Sequence, residues 1–375
     1  MSPPYKARAF KFIFVSMSSR SVFSRSKGVI FIMLCCKVRL LSQSSANDTL
    51  LPHQVQFIAA SKLIDSLNYK SGIDILKKTV KLKPDYWEAF NKMAFAKIKL
   101  LDYKGAEKDL EKAEKIAPLN YETEKLRGIN YYYLQDYKRS KEELDTALYI
   151  NNEERLDDVE LYYYRALLMF KGKAYKLALS ALESATDLKP NYLDAILLKG
   201  QIRFAAQEYN YAILELNNAI KIMNVDKINV EAYKLRAKSK FEVGDFKGAV
   251  KDWCVYLDKF PQEEEALISR AAAKINANDN SGAVADLDEA IKINPKNPVS
   301  YCYRGTAKGG IKNYKEALKD LDYAIKLKFD YAAAYVNRAA IKLAARNRTG
   351  ACEDLEKADA LGSESAIKYI QSYCK

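Results

Sequence analysis

Between residues 301 and 328 the chain reads YCYRGTAKGGIKNYKEALKDLDYAIKLK. Small and apolar residues return every three or four positions, the spacing that gathers them on one face of a helix. Polar Lys312 and Asn313 interrupt the pattern, which resumes at Tyr314 on a second segment. Two short amphipathic helices joined by a tight turn are predicted. The same pattern recurs from about residue 53 onward. A small residue opens each second helix at Gly72, Ala106, Ser140, Ala178, Ala212, Ala249, Ala283, Ala317 and Ala351. The intervals are 34, 34, 38, 34, 37, 34, 34 and 34 residues, a period too regular to arise by chance.

Each unit is numbered 1 to 34, with starts at 53, 87, 121, 159, 193, 230, 264, 298 and 332. Position 8 is small, as in Ala60, Gly128, Gly200, Ala271 and Gly305. Position 24 is large, as in Leu76, Leu144, Trp253 and Leu321, and position 27 is usually alanine. Small residues at 8, 20 and 27 let two antiparallel helices approach, and the large residue at 24 fills the gap between them. Proline stands at position 32 in five units (Pro84, Pro118, Pro190, Pro261 and Pro295), where it would close the second helix. One such hairpin cannot bury its apolar face alone, so neighbours must stack.

This arrangement resembles the tetratricopeptide repeat (TPR) family in all nine units. The resemblance implies an all-α fold, a right-handed solenoid of helix-turn-helix repeats over residues 53–365. The tail AIKYIQSYCK, residues 366–375, is expected to form a capping helix. Two insertions, Arg155–Asp158 after the third repeat and Lys227–Asn229 after the fifth, are expected as longer loops.

Two charged columns depart from the family pattern. Position 7 is basic at Arg127, Arg165, Lys199, Arg236, Arg270, Arg304 and Arg338. Position 23 is acidic at Asp109, Glu143, Glu215, Asp252, Asp286, Asp320 and Asp354. Six repeats carry both partners; the fourth has Ala181 and the second has Met93. Because the base tracks the acid, a bridge between the two helices of one repeat is expected rather than a row of free contact residues. Position 2 is acidic in six consecutive repeats, Glu88, Glu122, Glu160, Asp194, Glu231 and Glu265, where a carboxylate favours the positive first turn of a helix.

The net charge of +13 hints at nucleic acid until it is located. Residues 1–52 contribute +7, and the other 323 residues contribute +6 with signs mixed along every helix. No basic stripe for phosphates is visible, so no nucleic-acid partner is expected. Residues 1–52 form a basic leader, read as a targeting or disordered segment. The run VIFIMLCC behind Arg25 and Lys27 favours a secretory signal and export, with a mitochondrial transit peptide or a cytoplasmic protein as alternatives. Neither apolar run reaches the ~18 residues of a spanning helix. The tyrosine-rich stretches YYYLQDY and LYYYRALLMF are each half of one amphipathic helix and not membrane segments.

No catalytic, cofactor-binding or metal site is expected. His53 is the only histidine, there is no C-x-x-C pair among six cysteines, and a chain this long needs no disulfide framework. P-loop, nucleophile-elbow, zincin and dinucleotide motifs are absent. The TPR resemblance implies a non-enzymatic protein-interaction scaffold whose groove is lined by positions 2, 5, 9, 12 and 13 of each first helix. Those positions hold Phe95, Tyr132, Tyr163, Phe170, Phe204 and Phe241, beside the acids Glu122, Glu160, Asp194 and Glu231. The ligand expected there is a protein or peptide segment of mixed hydrophobic and basic character. The chaperone-adaptor branch of the family grips an acidic C-terminus with a Lys/Asn clamp. The sixth to eighth repeats offer Lys234, Lys238, Ser269, Val299 and Tyr303 instead, so a chaperone adaptor or assembly factor here would work without that clamp.

Overall fold

The computed structural model describes residues 50–222 and 229–374. The basic leader, apart from its last three residues, and most of the second insertion lie outside them. Nineteen helices and no strand occur among the described residues. The first helices of the nine hairpins are α1 (Pro52–Asp65), α3 (Trp87–Lys99), α5 (Tyr121–Tyr133), α7 (Val159–Lys171), α9 (Leu193–Ala205), α11 (Val230–Glu242), α13 (Glu264–Asn276), α15 (Pro298–Gly310) and α17 (Ala332–Ala344). Their partners are α2 (Tyr69–Leu82), α4 (Tyr103–Ile116), α6 (Tyr137–Glu154), α8 (Tyr175–Leu188), α10 (Tyr209–Ile222), α12 (Phe246–Lys259), α14 (Asn280–Ile293), α16 (Tyr314–Leu327) and α18 (Arg348–Ala360). A final helix, α19 (Glu364–Tyr373), packs on α18. Each helix touches its hairpin partner and the adjacent repeat, which makes the molecule an all-α solenoid.

The periodic residues form the core as expected. Ala60, Ala94, Ala166, Ala237, Ala271 and Ala339 at position 8 are fully buried, as are Leu76, Leu144, Leu182, Leu287, Leu321 and Leu355 at position 24. At Gly305 the helices approach so closely that an added Cβ would lie 2.7 Å from Leu321 Cγ and 2.9 Å from the Ala317 carbonyl oxygen. Position 3 is buried from Ala89 through Ala334, whereas Val55 in the first repeat is exposed, with no described helix before it in the stack. Proline is not what ends the second helices. Lys83, Ala117, Lys189, Phe260 and Asn294 before the prolines have left helical geometry, with φ from −127° to −137°, and Lys328, followed by Phe329, does the same at φ −144°. Proline suits a conformation that the packing already imposes.

The hairpin turn makes one unusual demand. Position 15 has positive φ in all nine repeats: Leu67, Leu101, Gln135, Lys173, Gln207, Gly244, Asn278, Lys312 and Arg346. Only the sixth repeat places glycine there. In the other eight an L side chain accepts the left-handed conformation, which costs about 1–2 kcal/mol. The next residue, at position 16, caps the second helix: Asp102, Asp136, Asp245, Asp279 and Asn347 each accept the backbone N–H three residues on.

Three expectations change. The first insertion lengthens a helix more than a loop: α6 runs 18 residues, and only Arg155–Asp158 form the connection, with Arg155 and Asp157 left-handed. The capping helix begins at Glu364 rather than 366, with Ala366 buried in the cluster formed by Tyr335, Leu355 and Ala358. A disulfide is present after all. Cys352 in α18 bonds Cys374 behind α19 across a Cα–Cα distance of 5.7 Å, so the cap is tied covalently to the stack. Residues 22 positions apart are brought together by the packing of α19 against α18, which cysteine spacing alone does not reveal.

Replacing Leu101 by glycine should stabilise the array by roughly 0.5–1 kcal/mol, the left-handed strain relieved less the added chain entropy. The exposed leucine contributes no core, being 72% accessible. Leu101→Val should destabilise instead. Urea titrations followed by circular dichroism check both signs.

Candidate functional site

The charged columns meet as a ladder. Arg236, Arg270, Arg304 and Arg338 each grip the acid of their own repeat through Nε and Nη2, with Arg304 at 2.9 and 2.7 Å from Asp320. Arg127 reaches Glu143 at 2.7 Å. Lys199, too short for the fork, donates to Thr186 at 2.8 Å instead. Two parts of the ladder escaped sequence reasoning. Position 11 supplies a lysine to the same acid: Lys97–Asp109, Lys240–Asp252, Lys274–Asp286, Lys308–Asp320 and Lys342–Asp354, at 2.6–2.8 Å. The arginine Nη1 also reaches back to position 25 of the preceding repeat, meeting Asp288 from Arg304 and Asp322 from Arg338, both at 2.7 Å. The bridge therefore ties repeats to one another as well as helices within a repeat. The lysine column was legible as a periodic residue; the backward reach needed the stacking.

The acidic row lies in the first turns of the first helices, and part of it is already engaged. Glu122 and Glu160 surround the buried ammonium of Lys125 at 2.9 and 3.9 Å, with Asp158 of the insertion at 2.8 Å. Burial opposes the Lys125 charge, but Glu122 and Asp158 outweigh it and hold its pKa above the ordinary value. Glu265 pairs with Lys238 at 2.9 Å, and Glu231 accepts from the Tyr256 hydroxyl at 3.4 Å. Asp194 is exposed.

The six aromatic residues are all half-buried. Tyr132, Phe170, Phe204 and Phe241, at position 12, pack against the position 17 rings of Tyr137, Tyr175, Tyr209 and Phe246, with centroids 5.3–6.0 Å apart. Each ring thus braces its own turn and keeps one side open. Tyr163 packs edge-on to Tyr164 and Tyr192, and burial pushes its hydroxyl up to about 12. Phe95 lies beneath Lys92 and Lys99, whose ammonium groups are 5.9 and 5.2 Å from its ring.

Two cavities open among these first-helix positions. One, of about 280 Å³, is lined by Phe204, Phe241, Ile268, Ala272 and Tyr303, with Trp253 among its walls and Lys238, Glu242 and Glu265 around it. The other, of about 350 Å³, lies among Phe57, Trp87, Asn91, Phe95 and Glu122. Phe204 and Phe241 therefore share one cavity, and Phe95 and Glu122 share the other. Tyr132, Tyr163 and Phe170 belong to the packed stretch between. Ile268, Tyr303, Phe57 and Trp87 were missed, although Phe57 and Ile268 occupy position 5, where the repeat register could have found them.

A third feature binds repeats two and three. Glu124 is only 2% exposed, and Arg127 lies 3.6–3.7 Å from Glu114 and Glu124. Burial first, then hydrogen bonding to the carboxylates of Glu143 and Glu114, pushes the Glu124 carboxyl up to about 9 from an ordinary 4.5.

No family model and no curated protein matches the sequence. Solved structures do. PilW, a widely conserved type IV pilus biogenesis factor, is 16% identical with a TM-score of 0.52 over 58% of this chain and 98% of its own. PilF of Pseudomonas aeruginosa is 15% identical with a TM-score of 0.50 over 57% and 94%. YrrB, a TPR protein with an unusual peptide-binding site, is 18% identical with a TM-score of 0.46 over 48% and 92%. The repeated helix pairs, together with the likeness to PilW and PilF, identify the fold as a tetratricopeptide-repeat solenoid. No described helix is long and apolar enough to cross a membrane.

A carboxyl whose pKa is raised by folding stabilises the fold fully below its unfolded value, here 4.5, and loses that contribution as pH rises toward 9. Glu124→Gln should therefore raise the melting temperature at neutral pH and flatten its decline between those limits. Thermal melts across the pH range measure both effects.

Proposed function

We propose that the array is a non-enzymatic protein-interaction scaffold that holds an extended or helical segment of a partner along its first helices. The observation that carries the reading is the pair of cavities, each walled by half-buried rings at the open side of the stack. Aromatic rings already braced in place lose little side-chain freedom on binding, which suits them as anchors. The segment is of mixed hydrophobic and basic character. Its apolar side chains meet Phe95, Tyr132, Tyr163, Phe170, Phe204 and Phe241. Its cations meet the acidic row, Asp194 above all, then Glu231 beside Tyr256, with Glu122 and Glu160 at the edge of the Lys125 cluster. Long-range attraction to these acids also speeds encounter.

Partners captured on immobilised residues 48–375 and identified by mass spectrometry provide the ligand. With that ligand, Tyr163→Ala combined with Phe204→Ala should weaken binding by more than ~1 kcal/mol while the helical spectrum is retained. Reversing surface charge on a second helix, as in Lys319→Glu, should leave the affinity unchanged. The opposite pattern would place the partner elsewhere.

A further inference from the structure

The fourth repeat breaks the ladder. In the sixth to ninth repeats the Nε–Nη2 edge of the arginine is filled by an aspartate of the same repeat. In the fourth, position 23 is Ala181 and position 11 is Met169, so both internal partners of the site have been replaced by apolar residues. Arg165 keeps only its backward contacts: Nη1 donates to Asp145 at 2.5 Å and to the Leu144 carbonyl oxygen at 3.3 Å. Its Nε and Nη2 have no acceptor among the described residues, although its side chain is only 14% exposed.

Beside this guanidinium is a cavity of about 390 Å³, away from the first-helix cavities described above. Its walls are Leu144, Leu168, Met169, Ala174 and Leu177, with Arg165, Lys141 and Asp145 as the charged groups. Lys141 also spends its charge on Asp145, at 3.0 Å. Two cations thus share one carboxylate, leaving one positive charge. The Nε–Nη2 edge of Arg165, filled by aspartate in the sister repeats, is thus free to take an anion.

We propose that this cavity binds an aliphatic monocarboxylate. The carboxylate takes the two-pronged edge of Arg165, as Asp320 does on Arg304, and the hydrocarbon chain lies against Met169, Leu168 and Leu177. A single negative charge balances the site, where a phosphate dianion would overshoot it. The planar fork matches a carboxylate bidentately. The volume falls within the range of small-ligand pockets, which begins near about 300 Å³.

The test is calorimetric titration of the full chain with octanoate, using octanol as the neutral control. Octanoate should bind saturably at millimolar concentration or below, and octanol about tenfold or more weakly, the loss expected for charge-assisted hydrogen bonds. Ala181→Asp should restore the internal partner found in the sister repeats. It should abolish octanoate binding while preserving or raising the melting temperature. If that variant melts lower, Arg165→Gln serves for the same comparison and should also lose binding. No saturable binding of octanoate, equal binding of octanol, or undiminished binding by the folded variant would overturn the assignment.

Discussion

A guanidinium held between two helices and a neighbouring repeat must have its charge answered on every side. That requirement organises the sixth to ninth repeats of this solenoid. Arg304 illustrates it: Asp320 occupies one edge, Asp288 of the preceding repeat meets Nη1, and Lys308 shares Asp320 from the next turn of α15. The apolar core could tolerate small shifts in how one hairpin sits on the next. The bidentate geometry cannot, because the fork fixes both distance and angle. Surface ion pairs of the kind Lys319 makes with Glu316 carry little of this constraint.

The junction between the third and fourth repeats is where that rule is relaxed. The inserted residues extend α6 by a turn and deliver Asp158 to two tasks, capping α7 and pairing with buried Lys125. In the fourth repeat Arg165 has Ala181 where the sister repeats carry aspartate. Around one junction the array thus carries a polar cluster on Lys125 and an apolar cavity holding the cation of Arg165. Repeat arrays can absorb such changes because each repeat answers mainly to its neighbours.

The aromatic face has a comparable double character. Rings at position 12 brace the hairpin turn against position 17, and some acids of position 2 neutralise lysines of the same face. A surface assembled this way would meet the segment proposed above with its rings already packed in place.

Much of this was determined by the amino-acid sequence alone. The period, the helix pairs, the small residues at positions 8 and 20, the large residue at 24 and the arginine–aspartate pairing are all visible in it. They are visible because their partners lie within one repeat, sixteen residues apart for Arg270 and Asp286, where helix geometry fixes proximity. What only the tertiary structure decided depends on how repeats sit on one another. The backward reach of Arg338 to Asp322, the enclosure of Lys125 by acids from two repeats, the bond between Cys352 and Cys374, and which aromatic residues line a cavity are of this kind. Register within a hairpin is written in local spacing. The rotation between successive hairpins comes from the packing of the whole interface, and no single column of residues records it.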